Sequence, residues 1–426
     1  MRNRKKIGFT ACCLAMMLML AGCGAEGKNE ATGGSSSKKP DPVVTLKMYL
    51  VNNTKMNLEE INRRFEEKYP NIKIDYEGAP VDQFETVIKT KLASGDGPDI
   101  FTVFAGTKKD SFVKAGYLMD LSDRPWISRL TPGVVRSAST DGKVYALPRS
   151  QNVIGVIYNK QIFKDLGLEI PKDWQAFLQT AQKIKDAGLI PIGLGLKDQF
   201  VTQLIPYAMA ASVIYRDNPN FDQSMYEGKQ TFVGSPWEQM MTDYLDLDKK
   251  GFINKGTLGT ANDQVVQLMS SGKVAMTVSL NAVVPAIKAA NPQIGLGMFP
   301  LPYVKQGEPV WVSTGPAVLA GGYAKTKHPE EVKKYLDFVA LQENMKTIVD
   351  TMQAFSVFND VVTNLDPALM EIQPSLKVGT YAFLDQNWPA TVQPQMFVGI
   401  QDVFAGAKIP DVLAKMDKAF KEGTKN

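Results

Sequence analysis

The chain has 426 residues, with 48 basic and 44 acidic side chains, a single His and three Cys. Arg2, Arg4, Lys5 and Lys6 account for the whole net charge of +4, so the remainder is formally neutral and carries no basic footprint for nucleic acid. Two of the cysteines, Cys12 and Cys13, lie in the apolar leader, which leaves the rest of the chain without a pair for a disulfide or a thiolate metal site. Nothing in the composition calls for a cofactor.

The N-terminus opens with that basic head and continues as an apolar run of 15 residues, Ile7 to Ala21. The run is shorter than the roughly 20 residues that span a bilayer as a helix. It ends in small residues and a cysteine, Leu20-Ala21-Gly22-Cys23. Basic head, apolar stretch and small residues at the cut describe an export signal over residues 1–22. Leu-Ala-Gly-Cys resembles the lipobox of bacterial lipoproteins, and this implies cleavage before Cys23 and lipid on its thiol. Residues 24–42, rich in Gly, Ser and Lys, cannot build a core and read as a tether with a reach of roughly 25 Å.

Beyond the tether, strand and helix patterns alternate. Val43 to Val51 reads as a buried strand. Leu58, Ile61, Phe65 and Tyr69 mark a helix stopped at Pro70-Asn71. Ile72 to Tyr76 is a second strand, Phe84 to Leu92 a second helix, and Asp99 to Phe104 a third strand. This order predicts a mostly parallel sheet with helices on its faces. Further strands are expected at Val144 to Leu147, Val153 to Tyr158, Ile190 to Leu194, Lys273 to Ser279 and Ile294 to Phe299. A helix is expected from Asp173 to Lys185, and the last hundred residues read as mostly helical. No segment after the leader is long and apolar enough to span a membrane as a helix.

Seven short segments carry a family resemblance when taken in order. They include Phe65-Glu-Glu-Lys-Tyr-Pro-Asn-Ile72, Leu92-Ala-Ser-Gly-Asp-Gly-Pro-Asp-Ile100, Gly142-Lys-Val-Tyr-Ala-Leu-Pro148 and Tyr158-Asn-Lys-Gln-Ile-Phe163. With Thr45 to Tyr49, Gly188 to Gly193 and Gly272 to Met276, they run in an order similar to that of the sugar-type extracellular solute-binding proteins of ABC importers. The C-terminal 150 residues match only loosely.

The resemblance implies a periplasmic-binding-protein-like fold of type II: two α/β lobes joined by a hinge, with a ligand cleft between them. It places residues 43–149 plus 281–318 in the first lobe and 150–280 plus 319–426 in the second. It implies capture of a mono- or oligosaccharide outside the cell and delivery to the transmembrane permease. Lipid on Cys23 would hold the protein, expected as a monomer, on the outer face of a Gram-positive membrane.

A sugar asks for flat aromatic faces and for polar groups that satisfy buried hydroxyls. Candidates of these types are Asn52 and Asn53 after the first strand, Asp82 at a helix start, and Arg149 and Gln151 at the first lobe crossing. Asp198 and Phe200 stand where relatives often carry an Asp and a Trp, and Asn281 stands where relatives frequently have a Trp. Trp311, Phe355 and Trp388 complete the set. Asn52, Asn53 and Asp82 could instead serve turns and caps, and every aromatic could pack in a core.

An enzyme is the competing class. The single His328 lies in Lys-His-Pro-Glu-Glu and reads as the neighbour of a helix start, and no Ser/His/Asp set or HExxH motif can be assembled. A receptor of the same build for a non-sugar solute, or one feeding a sensor, is the other alternative, and the Asn at position 281 is its support.

Overall fold

The computed structural model describes residues 42–51, 58–316 and 318–425. Cys23, Asn52 and Asn53 lie outside the described residues.

β1 (Val44–Val51) pairs in parallel with β2 (Ile72–Ala79), Val44 opposite Ile72 and Val51 opposite Ala79. Parallel neighbours need a crossover, and α1 (Glu59–Lys68) supplies it. Ile61 and Phe65, four apart, go into the core, while Glu59, Glu60 and Lys68 oppose the helix dipole at its two ends. α2 (Val81–Ala93) buries Phe84, Ile88 and Leu92 and leads to β3 (Ile100–Val103), which is buried throughout. Asp99 serves structure here: its carboxylate accepts from the Lys47 backbone N–H at 2.8 Å and from the Thr326 hydroxyl.

α3 (Thr107–Lys114) and α4 (Pro132–Ala138) follow. A small hairpin pairs β4 (Ser139–Thr140) with β5 (Lys143–Val144) around Asp141-Gly142, both at positive φ. β6 (Leu147–Pro148) ends this pass through the first lobe.

The chain then enters β7 (Gln151–Asn159), buried over almost its whole length and central to the second sheet. β8 (Ile190–Gly193) runs parallel to β9 (Val274–Leu280), which lies antiparallel to β7 with Ile154 opposite Leu280. On the other edge of β7, β10 (Leu296–Phe299) covers Val156 to Asn159 and β11 (Val312–Pro316) covers Gln151 to Val153. The chain returns to the first lobe as β12 (Leu319–Gly322), antiparallel to both β3 and β6. β13 (Thr380–Ala382) completes the second sheet beside β11.

These pairings correct the expected lobe boundaries. Residues 281–318 do not belong to the first lobe, because β10 and β11 are hydrogen-bonded to β7. Residues 319–361, apart from Phe355, do belong to it: Leu319, Leu336, Ile348 and Val361 pack in one core with Leu46, Phe65 and Phe101. The chain therefore changes lobe between β6 and β7, between β11 and β12, and again between Val361 and Ala368. Position 281 is not a crossing.

The second lobe is layered on both faces of its sheet. A large core holds Phe177, Ile192, Trp237, Trp388 and Phe420. A smaller one on the opposite face holds Val153, Ile157, Ile287 and Ile372. The helix expected from Asp173 to Lys185 is found as Trp174–Asp186, with Asp173 accepting from the Ala176 N–H at 2.8 Å. Among the described residues no helix is long and apolar enough to cross a membrane.

Candidate ligand cleft

A cavity of about 680 Å³ lies between the lobes, within the size range of small-molecule sites. Its first-lobe wall is built on Gly106, the first half of α3 and on α4, which follow β3 at the C-terminal edge of parallel strands where open α/β sheets bind ligands. Gly106 starts α3 with φ +76°, a conformation glycine adopts without strain. It also lets the two lobes touch, since a Cβ built there would stand 2.2 Å from the carbonyl oxygen of Gln386. Beside it the Thr107 hydroxyl donates to the Trp388 carbonyl at 2.5 Å.

Lys109 is 1% exposed, yet its ammonium is satisfied. It donates to the carbonyls of Ser137 and Ser139 and lies 3.1 Å from the Asp110 carboxylate. Burial lowers the Lys109 pKa, and Asp110 opposes that shift. Asp110 also accepts from the Thr140 hydroxyl at 2.5 Å. Arg136, exposed on α4, reaches the same wall.

The second-lobe wall is aromatic and amide-rich. Tyr381 of β13 lies stacked on Tyr215, ring centroids 4.0 Å apart and planes 17° from parallel. Gln386 and Asn387 follow on a short turn, and the Asn387 amide donates to the Tyr381 oxygen at 3.3 Å. Gln151, Thr314, Gly315 and Pro316 line the cavity where the first two crossings meet. Gln151 is held there by a backbone exchange with Phe355, at 2.9 and 3.2 Å. The wall thus offers one flat ring, three primary amides, hydroxyls, and charges of both signs.

Residues 54–346 match the family model for bacterial extracellular solute-binding proteins. The chain belongs to that family. The multiple sugar-binding protein of Streptococcus mutans is 25% identical over 397 residues, spanning 91% of each chain. The melibiose/raffinose/stachyose-binding protein of Bacillus subtilis is 23% identical over 361 residues, 82% of this chain and 80% of that protein. The crystal structure of a sugar transporter from Bacillus licheniformis in complex with stachyose superposes with a TM-score of 0.77. That match covers 89% of this chain and 100% of the other at 24% identity, and it shows a shared fold.

In this solute-binding protein, Gln151 alone among the candidates whose side chains are described lies in the cavity lining. Asp82 falls in the first turn of α2, and its side chain is outside the described part. The other described candidates are held in structural contacts. Arg149 is turned into the first-lobe core beside Met48, Leu50 and Leu336, and burial lowers its pKa. Asp198 accepts from the Asn262 N–H at 2.7 Å, at the start of the helix Asn262–Ser270. Phe200 packs against the large second-lobe core.

Asn281 is fully buried, accepting from the Val153 N–H at 2.8 Å and donating to the Gln353 carbonyl at 2.9 Å. A Trp, whose indole only donates, could not accept from the Val153 N–H. Trp311 covers Gly379, where a Cβ would meet its indole nitrogen at 2.3 Å. Phe355 packs in the smaller second-lobe core. Trp388 is 0% exposed and its indole donates to Asp222 at 3.1 Å.

Sequence reasoning missed Asp110, Arg136, Tyr381, Gln386 and Asn387. The first had a usable signal, because it follows the end of a parallel strand. Tyr381 to Asn387 had none, since they fall where the family patterns are weak.

Proposed function

We propose that this protein captures a carbohydrate, a mono- or oligosaccharide, outside the cell and delivers it to the permease of an ABC importer. The observation that carries the reading is the Tyr381 ring, backed by Tyr215 and flanked by the amides of Gln386 and Asn387 in the cleft between the lobes. A sugar presents C–H faces that stack on such a ring and hydroxyls that closure removes from water. Each hydroxyl left unpaired would cost about 1–3 kcal/mol, so a ring bordered by amides and hydroxyls suits it. The names of the Streptococcus and Bacillus relatives support the same class.

Gln151, Tyr381, Gln386, Asn387, Arg136 and Asp110 are proposed to contact the ligand. β1 and β3 are parallel and in register at Met48 and Ile100, so β1 ends at the same sheet edge as β3. Asn52 and Asn53, which come next in the chain, remain proposed contacts on that ground. The lobes would close around the ligand by hinge motion at the crossings, and the ligand shifts that balance by binding the closed form better.

A lipid on Cys23 would hold the receptor, as a monomer, on the outer face of a Gram-positive cell membrane. The order of basic head, apolar run and Leu-Ala-Gly-Cys supports this. Replacing Cys23→Ala should release the protein into the medium, and unchanged retention in the membrane fraction would refute the anchor.

A thermal-shift screen of sugars, polyols and peptides tests the ligand class. Raffinose or stachyose at a hundred times its Kd should stabilise the fold by about 2.7 kcal/mol. Stabilisation by peptides or polyols, with none from any sugar at millimolar concentration, would assign the cleft to another solute.

A further inference from the structure

Asp222 does not line the cleft, yet it touches residues that do. It sits on the helix Phe221–Tyr226, whose Phe221 and Met225 enter the second-lobe core. A carboxylate only 5% exposed needs partners, and it is ringed by donors. Tyr215 donates at 2.6 Å, Trp388 at 3.1 Å and Tyr381 at 3.5 Å. The Asn387 amide reaches both Asp222 and the Tyr381 oxygen. From the same helix, the Tyr226 hydroxyl donates to the Asn387 carbonyl at 2.8 Å. Its pKa is pushed up to about 12, first by burial and then by Asp222 and Asp110. The groups facing Asp222 are therefore three phenols, an indole and an amide, and it forms no ion pair among the described residues.

We infer that Asp222 is the positioning residue of the cleft wall: as a carboxylate it fixes the Tyr381 ring and the Asn387 amide for ligand, and protonation releases them. The inference rests on the carbohydrate reading only for what the wall is positioned to bind. An ionised carboxylate is acceptor-only, which suits converging donors. A protonated one must itself donate, and it faces an indole N–H and an amide N–H that cannot receive the proton. A phenol must then turn, and Tyr381 holds the longest of these bonds and has a second acceptor in the Pro219 carbonyl at 3.5 Å. Burial pushes the Asp222 pKa up to about 6, against the hydrogen bonds that lower it, so the change falls between pH 5 and 7.

The test uses the whole protein, first without ligand. In NMR spectra, the Asn387 side-chain amide and the Tyr381 ring signals should move together with a midpoint near pH 6. In Asp222→Asn they should be displaced from wild type and flat across that range. Signals that stay unmoved by pH and by the substitution would overturn the inference. The second arm measures raffinose affinity by calorimetry. In wild type it should fall up to about tenfold from pH 7 to pH 5, and in Asp222→Asn it should be weaker and flat. A variant that binds raffinose as wild type does at every pH would reduce Asp222 to a core group. Should wild type bind no sugar while the NMR titration holds, the carbohydrate reading fails and the positioning role stands.

Discussion

Gly106 of the first lobe and Gln386 of the second touch so closely that a Cβ on the glycine would stand 2.2 Å from the Gln386 carbonyl oxygen. The contact lies at the rim of the cleft and has no room for a side chain. Gly106→Ala should therefore keep the lobes apart. Small-angle scattering should show a larger radius of gyration with ligand present than wild type has, and affinity should drop at least tenfold. The positive φ, with ψ −146°, lies in a region nearly reserved for glycine and adds a backbone cost of about 1–3 kcal/mol. An unchanged scattering profile with ligand would show that closure does not need this contact.

Among the described residues, Tyr381 supplies the only flat face on the cleft wall, so its ring should matter more than its hydroxyl. Tyr381→Ala should weaken raffinose or stachyose binding by about 10- to 100-fold, the range expected for losing a stacked, buried ring. Tyr381→Phe should cost less than tenfold, since it keeps the ring and loses the hydroxyl bonds to Asp222, Asn387 and the Pro219 carbonyl. Titration calorimetry on both variants separates the two contributions, and equal losses would argue against stacking.

Asn281 ties the end of β9 to β7 and to the chain at Gln353. Asn281→Ala leaves a buried backbone N–H and a carbonyl without partners and should lower stability by about 1–3 kcal/mol, read from urea unfolding. Ligand affinity at saturation of the folded state should change little. A large loss of affinity with unchanged stability would return Asn281 to the cleft.

Asp222 also makes a stability prediction with a definite sign. Its folded pKa of about 6 lies above the ordinary value of 3.8, so the folded state holds the proton more tightly than the unfolded one. Its contribution to stability therefore rises as pH falls through 6. Wild type should gain about 1 kcal/mol relative to Asp222→Asn between pH 7 and pH 5. Asp120 works in the opposite sense at lower pH. Its pKa is lowered to about 2, chiefly by the Ser122 hydroxyl, so its stabilisation is lost as pH falls from about 4 toward 2. Paired urea titrations at the two pH values isolate Asp222, and parallel curves would contradict its raised pKa.

The family, the α/β class and the first five elements, β1 to β3 with α1 and α2, were legible in the chain because they rest on local pattern. Ile61 and Phe65 sit at helical spacing, and β7, β8, β9 and β10 are apolar runs bounded by turns. β11, β12 and β13 were not legible. They read Val-Ser-Thr-Gly-Pro, Leu-Ala-Gly-Gly and Thr-Tyr-Ala, with no alternation, and are strands only because each has a partner edge to lie on. That is also why the lobe boundary was misplaced: the pairing of β11 with β7 and of β12 with β3 is a long-range fact.

The same division runs through the cleft. The chain by itself carries the pattern of the proposed export signal and of the proposed lipid site at Cys23, and a two-lobed receptor pattern, since these lie in contiguous residues. Only the tertiary structure decided which polar and aromatic groups line the cleft. Trp388 and Tyr381 are seven residues apart and equally suited to stack on a sugar by type. The packing of Trp388 among Tyr207, Phe232 and Trp237 takes it into the core, and the edge position of β13 leaves Tyr381 on the wall. Side-chain chemistry nominates a residue, but burial, set by contacts distant in sequence, assigns it.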